Sequence, residues 1–351
     1  MNALSPIPAL TIHAASLDDG RLEPFVRGHA GATPFHLPQW SRAVEQGTGQ
    51  RAHYLVAERA GAVRGVLPLT EIRSRLFGSA LVSAGFATGG GPLADDENTA
   101  SALADAAWDL ACALGCPAVE LRGGAVPAGW QASAGVYATF SRDLPADEQA
   151  LLASIPRRQR AEVRRAQGFG LETSAGSDRR HRDAHYRVYA ESVRNLGTPV
   201  FPRALFEAAL DRFGDEADIV VVWKDGRPLA AMLNFYFGAT CQPFWGGGTR
   251  EARRWRANDL VYYEVMLRAI ARGFARADFG RSKLGTGPHA RKRIWDFQET
   301  PLTYAVRTMD GAAPRQVNPL DPKYRLKVAA WQRLPLWLAN RVGPVIARGL
   351  G

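Results

Sequence analysis

The sequence predicts a pair of α/β (α+β) domains in tandem, and three observations carry that expectation. Strand-like and helix-like segments alternate along the 351 residues, the order of segments is written twice, and glycines recur at a matching offset in the two copies. Gly91 and Gly248 are 157 residues apart (248 − 91), as are Gly123 and Gly280 (280 − 123).

In the first copy, the β-rich runs 53–59 and 63–70 flank a turn at Ala60–Ala62 and read as a hairpin. A third strand is expected over 79–86, then the glycines of TGGGPL. A helix from about Thr99 to Leu114 follows, with Leu103, Ala107 and Leu110 on one face, and then the short strand AVELRGG. In the second copy, runs 218–224 and 228–237 flank Asp225–Gly226–Arg227, a strong hairpin signal. A strand over 240–245 leads into Gly246–Gly248. A helix from about Asn258 to Arg272 and the strand RADFG complete the repeat. The hairpin glycines Gly61 and Gly226 are 165 apart, so the first copy carries about eight extra residues in EIRSRLFG. Hairpin, glycine-rich strand-to-helix turn, helix and strand form the order of the N-acetyltransferase-like (GNAT-type) fold. The expected division is a first such domain over 1–144, a second over 145–312, and a basic, Trp-rich tail over 313–351.

Composition narrows the partners. The chain is 46% hydrophobic with a formal charge of +10, which favours anionic ligands such as nucleic acid, phosphate-bearing metabolites or an acidic membrane surface. Three cysteines cannot build a disulfide framework; Cys112 and Cys116, four apart in an expected helix, read as small core residues sharing a face. The N-terminus lacks a basic residue before Arg21, and no apolar run approaches the roughly 20 residues of a membrane span, so a cytoplasmic chain is expected.

Three constellations could carry chemistry. In DFGRSKLGTGPHARKRIWDF (278–297), six Lys, Arg or His residues stand between Asp278 and Asp296 with no acid among them. Gly280, Gly285 and Gly287 can present backbone N–H groups to an anion, and Arg281, Lys283, Arg291, Lys292 and Arg293 supply charge. Asp278 and Ser282 flank an expected strand end, although a buried structural Asp is the plain alternative. The second constellation is SIPRRQRAEVRRAQGFG, read as a helix capped by Ser154 with Pro156 at its first position and ended at Gly168 or Gly170. Its Arg157, Arg158, Arg160, Arg164 and Arg165 form either a phosphate clamp or a solvated basic face. The third, around Arg194 and Asn195 before LGTPVFP, is a rigid loop that suits either structure or ligand.

Other chemistries are set aside. Thr286–Gly287 stands where a P-loop needs Lys–Ser/Thr. There is no G-x-S-x-G elbow, no H-E-x-x-H helix and no G-x-G-x-x-G fingerprint, and no metal site is expected. The usual acetyl-CoA pyrophosphate turn, R/Q-x-x-G-x-G/A, is replaced by TGGGPLADD and WGGGTREARR.

These residues resemble the FemAB (FemABX) group of peptidoglycan bridge-forming aminoacyltransferases. The segments RLFGSALVSAGFATGGGPLAD, RRQRAEVRRA, NLGTPVFPRALF, DFGRSKLGTG, KRIWDFQETPLTY and the C-terminal YRLKVAAWQRLPLWLANRVGP carry the resemblance over nearly the whole chain. They are most similar to the branch found with PEP-CTERM/exosortase and exopolysaccharide systems. Two departures stand out: the aromatic–Lys pair before the WGF-like segment is here Arg291–Lys292, and Asp296 takes the place of its glycine. The long helical arm of Gram-positive members is absent.

The resemblance implies amide formation by attack of an amine on an activated acyl ester or thioester, without an enzyme nucleophile. Lys283, Lys292 and Arg281 would contact phosphate or oxyanion, Asp278 would orient or accept a proton, and Arg157, Arg158 and Arg194 would clamp donor or acceptor. Ser282, Gly285, Gly287 and Asn195 would complete the binding residues. No tightly bound cofactor is implied. The donor would be aminoacyl-tRNA, with acetyl-CoA the alternative, and the acceptor a phosphate-bearing envelope or exopolysaccharide precursor. A CoA-dependent N-acyltransferase and a non-catalytic scaffold for anionic polymer, RNA or membrane are the competing readings. The tail mixes Trp331, Trp337 and leucines with Lys327, Arg333, Arg341 and Arg348, which fits packing on the second domain or contact with an anionic leaflet, in either case interrupted at Pro335 and Pro344.

Overall fold

The computed structural model describes residues 8–309 and 322–351, which fall into two compact units. The expected boundary at 312/313 lies outside the described residues. The first unit comprises the chain through Ala134 together with 303–309 and 349–351; the second begins at Gly135 and includes the C-terminal helices to Arg348.

The first unit contains β1 (Thr11–Ala14), α1 (Leu22–Gly28), α2 (Pro38–Thr48), β2 (Arg51–Arg59), β3 (Ala62–Ser74), β4 (Gly78–Ser83), β5 (Leu93–Ala94), α3 (Glu97–Leu114) and β6 (Ala118–Arg122). The β2–β3 hairpin closes where Arg59 pairs with Ala62, with Ala60 at φ +53° and Gly61 at φ +80°, the left-handed pair that a two-residue turn requires. The extra residues of this copy lengthen the β3–β4 hairpin down to Ser74↔Gly78. Strands β4 and β6 are parallel. Between them runs α3, started by Asp96, whose carboxylate accepts from the Thr99 N–H, and ended by left-handed Gly115. Its Leu103, Ala104, Ala107 and Ala111 bury against Leu67, Leu69, Leu81 and Leu121. The shared face expected for Cys112 and Cys116 is not found. The helix stops at Leu114, and the chain reversal at Gly115 leaves Cys112 exposed and Cys116 buried.

The second unit contains β7 (Gln131–Asp143, which enters from the first unit), α4 (Glu148–Ser154), α5 (Arg157–Gln167), β8 (Glu172–Gly176), α6 (Arg179–Asn195), α7 (Arg203–Phe213), β9 (Ala217–Lys224), β10 (Arg227–Phe237), β11 (Thr240–Gly248), α8 (Ala257–Ala271), β12 (Arg276–Lys283) and α9 (Gly287–Ile294). After β13 (Gln298–Thr308) come α10 (Pro322–Arg333) and α11 (Leu336–Ala347). Sheet order is β7-β12-β11-β10-β9-β8. The Asp225–Gly226 turn, at φ +48° and +71°, closes β9–β10 as expected. Strand β10 is apolar almost throughout because both faces are covered. Ala230 and Met232 face the α5/α8 core, while Phe235 meets Phe213 of α7.

Two further expectations are corrected, and two strands are added. Ser154 ends α4 instead of capping α5, which begins after Pro156. Pro335 does separate α10 from α11, but Pro344 sits inside α11 without ending it. Strands β7 and β13 have no counterpart in the sequence reading, yet each completes a sheet. Residues 137–143 of β7 pair with β12, and 304–308 of β13 pair with β6. The last strand of each repeat therefore closes the sheet of the other.

Candidate active site at the β12–α9 corner

Strands β11 and β12 run parallel only at Thr240↔Arg276 and Cys241↔Ala277. Beyond that point β12 leaves β11 and stays paired with β7, through Arg281↔Thr139, Ser282↔Ala138 and Lys283↔Tyr137. Such an opening at the C-terminal end of a parallel pair is where open α/β sheets place ligands.

A bulge between Asp278 and Arg281 turns the strand there. Gly280 adopts φ +64°, and its N–H donates to Asp278 Oδ1 at 2.8 Å; the Thr139 hydroxyl donates to the same oxygen at 2.9 Å. Asp278 thus holds the bend through one carboxylate oxygen. From α9, Lys292 reaches back to the other side. Its Nζ donates to the carbonyls of Phe279 (2.5 Å), Gly280 (2.9 Å) and Arg281 (3.3 Å), and lies 5.4 Å from the Phe140 ring centroid. The side chain is 6% exposed. Burial pushes its pKa down to about 7, with Asp278 pulling it up and Arg281 pressing it further down. An ammonium can satisfy three carbonyls, whereas an amine has only two protons to give.

Three residues in succession then line the strand end. The Arg281 guanidinium lies 4.5 Å from the Tyr137 ring centroid. The Ser282 hydroxyl is buried with no hydrogen-bond partner. The Lys283 amine is half-buried, and desolvation lowers its pKa. Gly285, at φ +75°, makes the turn, Thr286 Oγ1 donates to the Lys283 carbonyl at 2.7 Å, and Gly287 opens α9. Arg291 joins α9 to the first turn of α8 through Asp259 at 3.0 Å. Beneath the corner, Tyr262, Phe279 and Phe297 stack with Trp295, whose indole N–H is buried without a partner. Asp296 adopts φ +58°, so an acid occupies a left-handed position at which glycine is the easy choice.

The structure thus brings Asp278, Arg281, Ser282, Lys283, Gly285, Gly287 and Lys292 into one corner. Arg157 and Arg158 lie exposed at the start of α5, which packs on α8 through Val163 and Ala166. On the same stretch Glu162 binds Arg165 at 3.0 Å and Arg256 at 2.6 Å. Arg194 and Asn195 are engaged elsewhere: Arg194 Nη1 donates to the Gln332 carbonyl at 3.0 Å, and Gln332 Nε2 to the Asn195 carbonyl at 3.1 Å. Sequence reasoning missed the β7 residues Tyr137, Thr139 and Phe140. A signal was present, since V-Y-A-T-F-S is a run of β-formers bounded by Gly135 and Pro145.

The Gly246–Gly248 run serves packing. A Cβ on Gly246 would come within 2.2 Å of Met232 Sδ, on Gly247 within 2.2 Å of Ser192 Oγ, and on Gly248 within 2.1 Å of Asn258 Oδ1. The three glycines let β10, α6 and α8 close in.

Residues 154–291 match the family described as Acetyltransferase (GNAT) domain. No curated protein matches the chain. Among solved structures, FemX superposes with a TM-score of 0.65 at 16% identity, covering 84% of this chain and 96% of FemX. A tandem GNAT protein from the clavulanic acid biosynthesis pathway gives 0.54 at 13% identity, covering 86% and 98% of the two chains. L-PGS from Bacillus licheniformis gives 0.54 at 13%, covering 90% and 97%. The fold is a tandem GNAT-like α/β fold.

Proposed function

We propose that this protein is an amide-forming acyl- or aminoacyltransferase of the FemAB type, acting on a phosphate-bearing cell-envelope or exopolysaccharide precursor. The observation that carries this reading is the β12–α9 corner: a strand end parted from its neighbour, bearing Arg281, Ser282 and Lys283 and locked by a buried lysine. The tandem GNAT-like fold and its likeness to FemX support it. The motifs resembling the exosortase-associated branch point to envelope or exopolysaccharide chemistry for the acceptor.

In the proposed reaction an acceptor amine attacks the acyl carbonyl carbon. A C–N bond forms, the C–O bond to the donor breaks, and the amine proton ends on the leaving oxygen. The protein's share is to position the partners and stabilise the tetrahedral oxyanion. Arg281 and Lys283 supply positive charge for phosphate and oxyanion, and the Ser282 hydroxyl has a proton to donate. The second oxygen of Asp278 is the candidate for orienting the amine. Lys292 acts as a positioning residue, since its protons are spent on the backbone that carries Arg281. Arg157 and Arg158 extend a basic surface for a polyanionic donor such as charged tRNA.

The test is label transfer by the purified protein, with labelled charged tRNA and labelled acetyl-CoA as parallel donors. UDP-linked peptide and lipid-linked precursors serve as acceptors. Label moving from tRNA is the expected result; label moving from acetyl-CoA would replace the donor assignment. Ligand binding without transfer from either, retained after alanine substitution across 281–293, would overturn the enzyme reading in favour of a scaffold.

A further inference from the structure

Helix α11 is amphipathic in an unusual sense: beyond its first residue the inward face is made of small residues, while Trp337, Val342 and Val345 face outward. Ala339, Gly343 and Ala347, at i, i+4 and i+8, are buried. A Cβ on Gly343 would come within 3.1 Å of Val200, so the helix sits close to the body of the unit. Leu336 anchors its start beside Ala190, Val193 and Val200. The opposite face carries Trp337, Arg341, Val345 and Arg348 at helical spacing, with Val342 alongside. Trp337 is 69% exposed and Val345 60%; on α10, Leu326 is 85% exposed.

A soluble helix normally buries its large apolar side chains and shows polar ones to water. Here close packing is done by alanine and glycine, and a tryptophan is held in solvent. Charge completes the pattern. From Leu326 to Gly351 the chain contains Lys327, Arg333, Arg341 and Arg348 and no Asp or Glu. An apolar face with an indole, interleaved with cations and free of acids, matches the interface of an anionic bilayer, where indole rings settle at headgroup level and Arg meets lipid phosphate. No helix among the described residues is long and apolar enough to cross a membrane, so such contact would be peripheral.

We infer that the outer face of α10–α11, centred on Trp337 and Val345, docks on the surface of an anionic phospholipid membrane. This inference does not rest on acyl transfer, and its test uses no substrate. The full chain is floated with vesicles of phosphatidylcholine alone and of phosphatidylcholine mixed with phosphatidylglycerol. The protein is expected to float with the mixed vesicles and to be released as salt rises. Combined Trp337→Ser and Val345→Ser should weaken vesicle affinity by about tenfold or more, with an unchanged circular dichroism spectrum and melting point. Arg333→Gln with Arg341→Gln should remove the preference for phosphatidylglycerol. Failure of the wild type to bind mixed vesicles at low salt would overturn the inference, as would unchanged binding by the Trp337/Val345 variant. If the wild type binds no vesicles but sediments as a dimer that Trp337→Ser dissociates, the face is instead an interface between copies of the chain.

Discussion

Replacing Lys292 by Met removes a buried charge and three hydrogen bonds together, and pH separates the two effects. Each carbonyl left without a donor costs about 1–3 kcal/mol, which makes the variant less stable by several kcal/mol in gross terms. Against this stands the cost of burying the ammonium. A pKa of about 7 in the folded state, against about 10.4 for a free lysine, corresponds to about 5 kcal/mol. The sign follows from proton counts. Between the two pKa values the unfolded chain binds more protons than the folded one, so wild-type stability rises with pH across that window and falls as pH drops towards 7. Below 7 both states are protonated and the cost is constant. The wild type should therefore gain about 2 kcal/mol relative to Lys292→Met between pH 7 and pH 9. Parallel urea unfolding curves at several pH values measure the difference. Two stability profiles that run parallel from pH 6 to pH 9 would refute the claim that this lysine is desolvated in the folded protein.

Three further outcomes are expected. Asp296→Gly should stabilise the protein by about 0.5–1 kcal/mol, read as a higher unfolding midpoint, because it relieves a left-handed residue that carries a side chain. Gly247→Ala should destabilise by about 1–3 kcal/mol, since its Cβ would need the space of Ser192 and α6 would have to move; calorimetry would show the lowered melting temperature. Ser282→Ala should leave stability within about 0.5 kcal/mol, as the hydroxyl has no partner to lose. If that hydroxyl meets the reacting group, the same variant lowers kcat/KM by about tenfold or more in the transfer assay.

The hairpins and the central helices were legible because their signals are local. Asp-Gly at 225–226 dictates its turn, and Asp96 and Gly115 punctuate α3 without reference to the rest of the chain. The basic corner was legible as a cluster because its residues are consecutive in sequence. The role of Lys292 was not legible, since nothing in the sequence says that its ammonium reaches carbonyls eleven to thirteen residues earlier. Nor was the engagement of Arg194 with Gln332, which depends on where the distant tail packs. The Gly246–Gly248 run was legible only as a glycine-rich strand-to-helix turn; its steric cause lies in Met232, Ser192 and Asn258, which the sequence does not place beside it. Strand β7 was missed because its first half is weakly patterned and half-exposed.

The pairing of β6 with β13 sets a timetable for synthesis. Strand β6 is complete once Arg122 has been added, but the residues that cover its free side, up to Thr308, come much later. At about 5–20 residues per second the nascent chain would show that edge for roughly ten to forty seconds. Strand β12 has no such wait, because its partner β7 is made first. An open strand edge is a template for pairing with another chain. The first repeat released alone, by premature termination or by a cut near residue 144, would keep that edge bare and be prone to aggregate. The halves of this protein are thus interdependent on the ribosome, and a productive molecule requires translation to run on through both.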